Sequence, residues 1–122
     1  MKTIDNQILL YRKSGNSTIV SFANTNRLNA MNSNEIENEL LHLIKNGEKS
    51  IFLDFSQIQF IDSDGFHALL SVYIDAKLGN VEFIIIDVKQ EVLELFRLVE
   101  LDKIFDIKSS SNYNLTNFRK AS

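Results

Sequence analysis

Two short apolar runs, "SIFLDF" at residues 50–55 and "VEFIIID" at 81–87, constrain this chain more than any other feature. Both are too short for stable helices and read as strands. The near-continuous apolarity of 50–55 implies burial on both faces, as in a parallel sheet. Parallel neighbours need a crossover, and the residues between the runs supply one. Phe66, Leu69, Leu70, Tyr73 and Lys77 share one helical face with Ile74 beside them, and Gly79-Asn80 ends that helix.

The flanking segments extend the same pattern. "QILLYRK" at 7–13 and "STIVSFA" at 17–23 surround the short "SGN" at 14–16, which predicts a β-hairpin. The Asn-rich stretch 24–35 reads as a connection. A helix follows, with Asn32 or Ser33 as its N-cap. From Asn32, Glu35 stands where a capping-box acid belongs. Ile36, Leu40, Leu43 and Ile44 form the apolar face of this helix, and Gly47 closes it. Val92, Leu95, Phe96 and Val99 predict a third helix, and "IFDI" at 104–107 a short last strand. The expected order is β-β-α-β-α-β-α-β, an α/β domain with a mixed sheet. It spans residues 1–108, followed by a polar tail, 109–122, that is loose or docks through Tyr113, Leu115 and Phe118.

Composition removes several classes of function. A chain of 122 residues suits one domain. Thirteen basic residues against 16 acidic ones leave a net charge of -3, with no clustered basic surface for phosphate backbones, so direct nucleic-acid binding is not expected. There is no cysteine, which excludes disulfides, thiolate metal sites and thiol nucleophiles. The start resembles neither a secretory signal nor a transit peptide, and no apolar run approaches the ~20 residues of a membrane span. The expectation is a cytoplasmic protein without membrane insertion.

Candidate chemistry is sparse. Asp54 sits late in a buried strand, where a phospho-accepting aspartate would sit. The first strand, however, ends in "YRKSGN", without the acidic pair such a site needs for Mg²⁺. His42 and His67 lie on different helices without a patterned third ligand, so no metal site is expected. Gly-x-Ser-x-Gly is absent and the four glycines are scattered, which disfavours an enzyme or a cofactor-binding loop. Ser63 remains, at the strand–helix junction "QFIDSDGFHALL". A helix starting at Asp64 or Gly65 makes Ser63 its N-cap. The same position also accommodates a phosphate, because a helix N-terminus presents free N–H groups and a positive dipole end. Such a phosphate would stand between Asp62 and Asp64.

The ordered set of features resembles the STAS domain, specifically bacterial anti-sigma factor antagonists, over about residues 4–108. The matching stretches are Leu53-Asp54-Phe55-Ser56, then Ile61-Asp62-Ser63-x-Gly65, then Leu69-Leu70. After these come the Gly79 helix end, the "FIII" strand and Leu101-Asp102-Lys103-Ile104-Phe105. "NRLNAMN" at 26–32 is similar to the family's Gly-Arg-Leu-Asp-Ala-x-Asn segment. The resemblance implies a STAS-type mixed β-sheet with helices packed mainly on one face. It also implies that Ser63 matches a serine phosphorylated by an anti-sigma factor that is also a serine kinase. The unphosphorylated form binds that partner, phosphorylation breaks the complex, and a PP2C-type phosphatase restores it. Asp62, Asp64, Gly65 and His67 then shape recognition around the phosphosite. The kinase brings the ATP and Mg²⁺, so the domain itself uses no cofactor. The alternative is a non-switching STAS interaction module or scaffold subunit in which Ser63 only caps the helix.

This chain departs from the family pattern at four places. Asp64 stands where Ser or Thr usually follows the acceptor. Asn26 replaces a Gly, and Lys89-Gln90 a Ser-Pro helix start, which leaves Asp87 as the expected cap. Glu100 stands where Gly often precedes Leu-Asp.

Overall fold

The structure is a computed structural model and describes residues 7–113. The elements run β1 (Leu9–Ser14), β2 (Ser17–Phe22), β3 (Arg27–Leu28), α1 (Ser33–Lys45), β4 (Ser50–Asp54), β5 (Phe60–Ile61), α2 (Ser63–Leu78), β6 (Glu82–Ile86), α3 (Gln90–Leu98) and β7 (Asp106–Lys108). A 3-10 turn at Ser110–Tyr113 follows.

The first two strands close antiparallel around Gly15-Asn16, with Gly15 at φ +60°. Every other pairing in the main sheet is parallel, and the strand order is β1-β2-β4-β6-β7. This is the expected mixed sheet. Its two faces are covered differently. Val20, Phe22, Ile51, Leu53, Phe83 and Ile85 point into the main core, against Ile36 and Leu40 of α1, Phe66, Leu69 and Val72 of α2, and Val92 and Phe96 of α3. Ile19, Phe52, Ile84 and Ile86 occupy the opposite face. There Tyr113 lays its ring edge-on against Phe52, with centroids 4.9 Å apart. Burial on both sides explains the unbroken apolarity of the central strands, although helices cover only one side.

The sequence-level expectations differ from the structure in a few local features. The 24–35 connection contains β3, which pairs in parallel with β5 in a separate two-stranded ladder. Strands of two residues carry no detectable period. Asn32 is the N-cap position of α1, but no capping box forms. Its side chain turns back instead, accepting from Asn29 N–H at 3.0 Å and donating to the Arg27 carbonyl at 2.8 Å. Asp87 does not cap α3. It adopts φ +59° and accepts from Ser110 N–H at 2.8 Å, while Lys89 takes the cap position without a side-chain bond. Glu100 sits at φ +62°, a backbone setting that favours the glycine it replaces. Tyr113 docks as described above, whereas Leu115 and Phe118 lie outside the described residues.

Candidate functional site

The strand–helix junction is assembled from the β3–β5 ladder. Leu28 pairs with Ile61, and Asp62 N–H continues the ladder by donating to the Leu28 carbonyl at 3.1 Å. The next peptide enters α2. Asp62, with an extended backbone, is the N-cap, and its Oδ1 accepts from Gly65 N–H at 2.9 Å. Its Oδ2 accepts from Ala30 N–H at 3.3 Å. One carboxylate thus caps α2 and holds the 29–32 loop beside it.

This corrects the expectation that Ser63 caps the helix. Ser63 is the first residue inside α2 and is exposed. Its hydroxyl makes no hydrogen bond among the described residues. The physical reason is reach. Asp62 has the longer acceptor arm and already stands in extended backbone, so it satisfies the Gly65 donor one residue earlier. Asp64 is exposed in the first turn of α2, a position that favours an acid electrostatically.

Gly65 faces inward and is buried. A Cβ there would stand 2.6 Å from the Leu28 carbonyl oxygen, 2.7 Å from Ile61 Cγ1 and 2.9 Å from Leu28 Cγ. Its role is therefore to let α2 approach the ladder, and it contributes no outward surface. Phe66 anchors the same turn, with its ring perpendicular to Phe96 of α3 at 5.0 Å. His67 is exposed on the next turn. Ser63, Asp64 and His67 consequently share the outer surface at this end of α2, above a rigidly packed base.

Sequence reasoning missed the apolar rim of this surface. Met31, in the loop held by Asp62, is 92% exposed. Phe60 is 40% exposed on β5, with the Arg27 guanidinium 5.6 Å from its ring centroid. An exposed Met inside an Asn-rich loop was a usable signal. The pairing of Arg27 with Phe60 was not, because it depends on β3 meeting β5.

The other candidates do not join this site. Asp54 is buried on the open face of the sheet, where its Oδ1 accepts from Ser56 N–H at 2.9 Å. His42 is exposed on α1, away from His67. Among the described residues, no group of three His, Cys, Asp or Glu side chains could hold a metal ion. No helix among them is long and apolar enough to cross a membrane.

A mixed sheet with helices packed against one face is the architecture of the STAS class. The STAS domain family matches residues 9–113, and the chain belongs to that family. BtrV of Bordetella bronchiseptica, provisionally named an anti-sigma factor antagonist, is 26% identical over 94 residues, covering 77% of this chain and 81% of BtrV. The anti-sigma factor antagonist SpoIIAA in its unphosphorylated form superposes with a TM-score of 0.71 at 14% identity, over 92% of this chain and 96% of SpoIIAA. The phosphorylated form of the Bacillus SpoIIAA gives 0.61 at 13% identity, over 81% and 89%. The chain therefore has the fold of anti-sigma factor antagonists.

Proposed function

We propose that this chain is an anti-sigma factor antagonist switched by phosphorylation of Ser63. In its unphosphorylated form it binds an anti-sigma factor serine kinase, and a PP2C-type phosphatase regenerates that form. The chain acts as substrate and binding surface and performs no catalysis of its own. The observation that carries this reading is the uncommitted, exposed Ser63 hydroxyl, left free because Asp62 caps α2. The Met31–Phe60 rim and His67 extend the same exposed surface and offer apolar area for a partner.

Magnitudes support a switch that alters the surface without unfolding the domain. A phosphate at the first residue of α2 adds roughly two negative charges. The helix N-terminus favours an anion by ~0.3–1 kcal/mol. Each neighbouring carboxylate opposes it by about 1 kcal/mol at exposed separations. The two carboxylates together outweigh the helix end by roughly 1–2 kcal/mol, which is small beside the ~5–15 kcal/mol stability of a typical domain, so the domain stays folded and the change is felt by the partner.

The test is incubation with the cognate kinase and ATP, followed by mapping of the phosphate by mass spectrometry. Phosphate on Ser63, absent in Ser63→Ala, is the expected result. Labelling elsewhere, or undiminished labelling of Ser63→Ala, rejects the site. The exposed Asp64 beside the acceptor favours a second reading, a non-switching interaction module. In that case a captured partner binds Ser63→Ala and Ser63→Glu equally well.

A further inference from the structure

The main sheet ends in an open edge at β1. This strand pairs with β2, and the bond from Ala23 N–H to the Ile8 carbonyl fixes which of its residues face inward. Hydrogen-bonded and non-hydrogen-bonded pairs alternate in an antiparallel ladder, so Leu10, Arg12 and Ser14 bond to β2. The N–H and carbonyl groups of Leu9, Tyr11 and Lys13 therefore point away from the sheet. Among the described residues these outward groups meet a single partner, the Gln7 side chain, which donates to the Leu9 carbonyl at 2.8 Å. β1 is six residues long and contains neither proline nor a bulge, the devices that close such edges in other sheets.

The side chains along this edge follow the same alternation. On the helix side Leu9 is buried, the Tyr11 hydroxyl donates to Glu39 of α1, and Lys13 pairs with Glu48 at 2.6 Å. Leu10 and Arg12 lie on the open side, and both are exposed. The cations thus occupy the half of the strand nearest the turn. Glu48 lies beyond the C-terminal end of α1, so Glu35, in the first turn of that helix, stands toward the Leu9 half. A groove between β1 and α1, lined by Tyr11, Asn38, Glu39, His42 and Leu43, runs beside the open edge.

We propose that this edge pairs with β1 of a second copy of the chain, antiparallel about a two-fold axis at Tyr11. Leu9 then faces Lys13 of the copy, and each outward N–H meets a carbonyl once the Gln7 amide yields the Leu9 oxygen. Charge selects this arrangement. In-register parallel pairing would set Arg12 against Arg12 and Lys13 against Lys13, which is unfavourable. The two-fold axis instead sets Arg12 against Leu10 of the copy and carries Lys13 toward the Glu35 of the copy. An axis at Arg12 would oppose the two guanidinium groups, and one at Leu10 would leave Lys13 opposite Gln7, outside the strand. The contact is a strand edge ~20 Å long with its adjoining groove. That is small for an interface, so the dimer is weak and depends on concentration. It does not involve α2, and it stands whether or not Ser63 is modified.

The test is sedimentation equilibrium of the full chain at concentrations up to ~1 mM, with two variants. The expected result is a monomer–dimer equilibrium. Leu10→Lys, at an exposed position, sets lysine against Arg12 at both symmetric contacts and weakens the dimer about tenfold. Tyr11→Pro removes an outward N–H while leaving the bonds to β2 in place, and gives a monomer whose fold is checked by circular dichroism. If that variant does not fold, Leu10→Lys decides alone. A mixture of isotope-labelled and unlabelled chain, read by filtered NOE spectroscopy, shows contact between the Leu10 and Arg12 α-protons of different copies. A chain that stays monomeric throughout, a dimer that Leu10→Lys leaves unchanged, or intermolecular contacts confined to α2 each overturn the proposal.

Discussion

Replacing Gly65 with alanine tests the construction of the junction, because two effects of known sign oppose each other there. In an unobstructed helix the change stabilises by ~0.5–1 kcal/mol, since alanine loses less conformational freedom on folding. At this position the new Cβ would stand 2.6 Å from the Leu28 carbonyl oxygen and 2.7 Å from Ile61 Cγ1, separations that real Cβ atoms do not adopt. Something must move, and one obstacle is backbone. Overpacking of this kind costs about 1–3 kcal/mol. Retreat of the Leu28 carbonyl also weakens the bond it accepts from Asp62 N–H at 3.1 Å, worth ~1 kcal/mol. Taking ~2 for the clash, adding ~1 for the bond and subtracting ~1 for the helix leaves a net loss of about 2 kcal/mol. For a domain of this size that lowers Tm by about 8 °C. Thermal unfolding followed by circular dichroism, with urea titration to check that the m-value is unchanged, measures both quantities. A Gly65→Ala protein as stable as the parent, or more so, would falsify the close approach of α2 to the β3–β5 ladder.

Three further outcomes follow from the same geometry. Asp62→Ala, which removes the cap and the hold on Ala30, lowers stability by about 1 kcal/mol or more, whereas Ser63→Ala changes it by less than about 0.5 kcal/mol; chemical denaturation curves that reverse this ranking would restore Ser63 as the cap. Glu100→Gly relieves a left-handed backbone at φ +62° and raises stability by about 0.5–1 kcal/mol, read as an increase in Tm. Glu48 accepts from Lys13 Nζ and Thr18 Oγ1, both at 2.6 Å, and these bonds hold its carboxyl below the usual range. Because the folded-state pKa is depressed, the stabilisation is present at neutral pH and lost as pH falls through the folded value. Glu48→Gln flattens the acid limb of a Tm-against-pH curve, and an unchanged slope would contradict the assignment.

How much was legible beforehand varies with the range of the interaction. The hairpin at Gly15, the three helices and the strands at 50–54 and 82–86 follow from local period and turn chemistry, which are properties of adjacent residues. The Asp-Ser-x-Gly element was visible as well, and the resemblance carried by its neighbours singled out Ser63. Which residue caps the helix was not. Asp62 and Ser63 are both good caps, and the choice rests on where β5 delivers the chain and on an Ala30 N–H from a loop 32 residues away. Gly65 shows the same division. Its lack of a side chain is read from the sequence, but the reason for it is the Leu28 carbonyl on another strand.

The alternation of strands and amphipathic helices, the absence of cysteine and the serine after Asp62 were determined by the sequence alone, because each is written in neighbouring residues. Tertiary structure decided that Asp62 rather than Ser63 satisfies the start of α2, that Met31 and Phe60 rim the same surface, and that Asp54 stands on the opposite side of the sheet. Those outcomes depend on long-range pairing. A donor takes the acceptor that the folded chain brings within reach, and sequence spacing does not record that distance. The Ser63 hydroxyl is free because a neighbour has already met the helix's need.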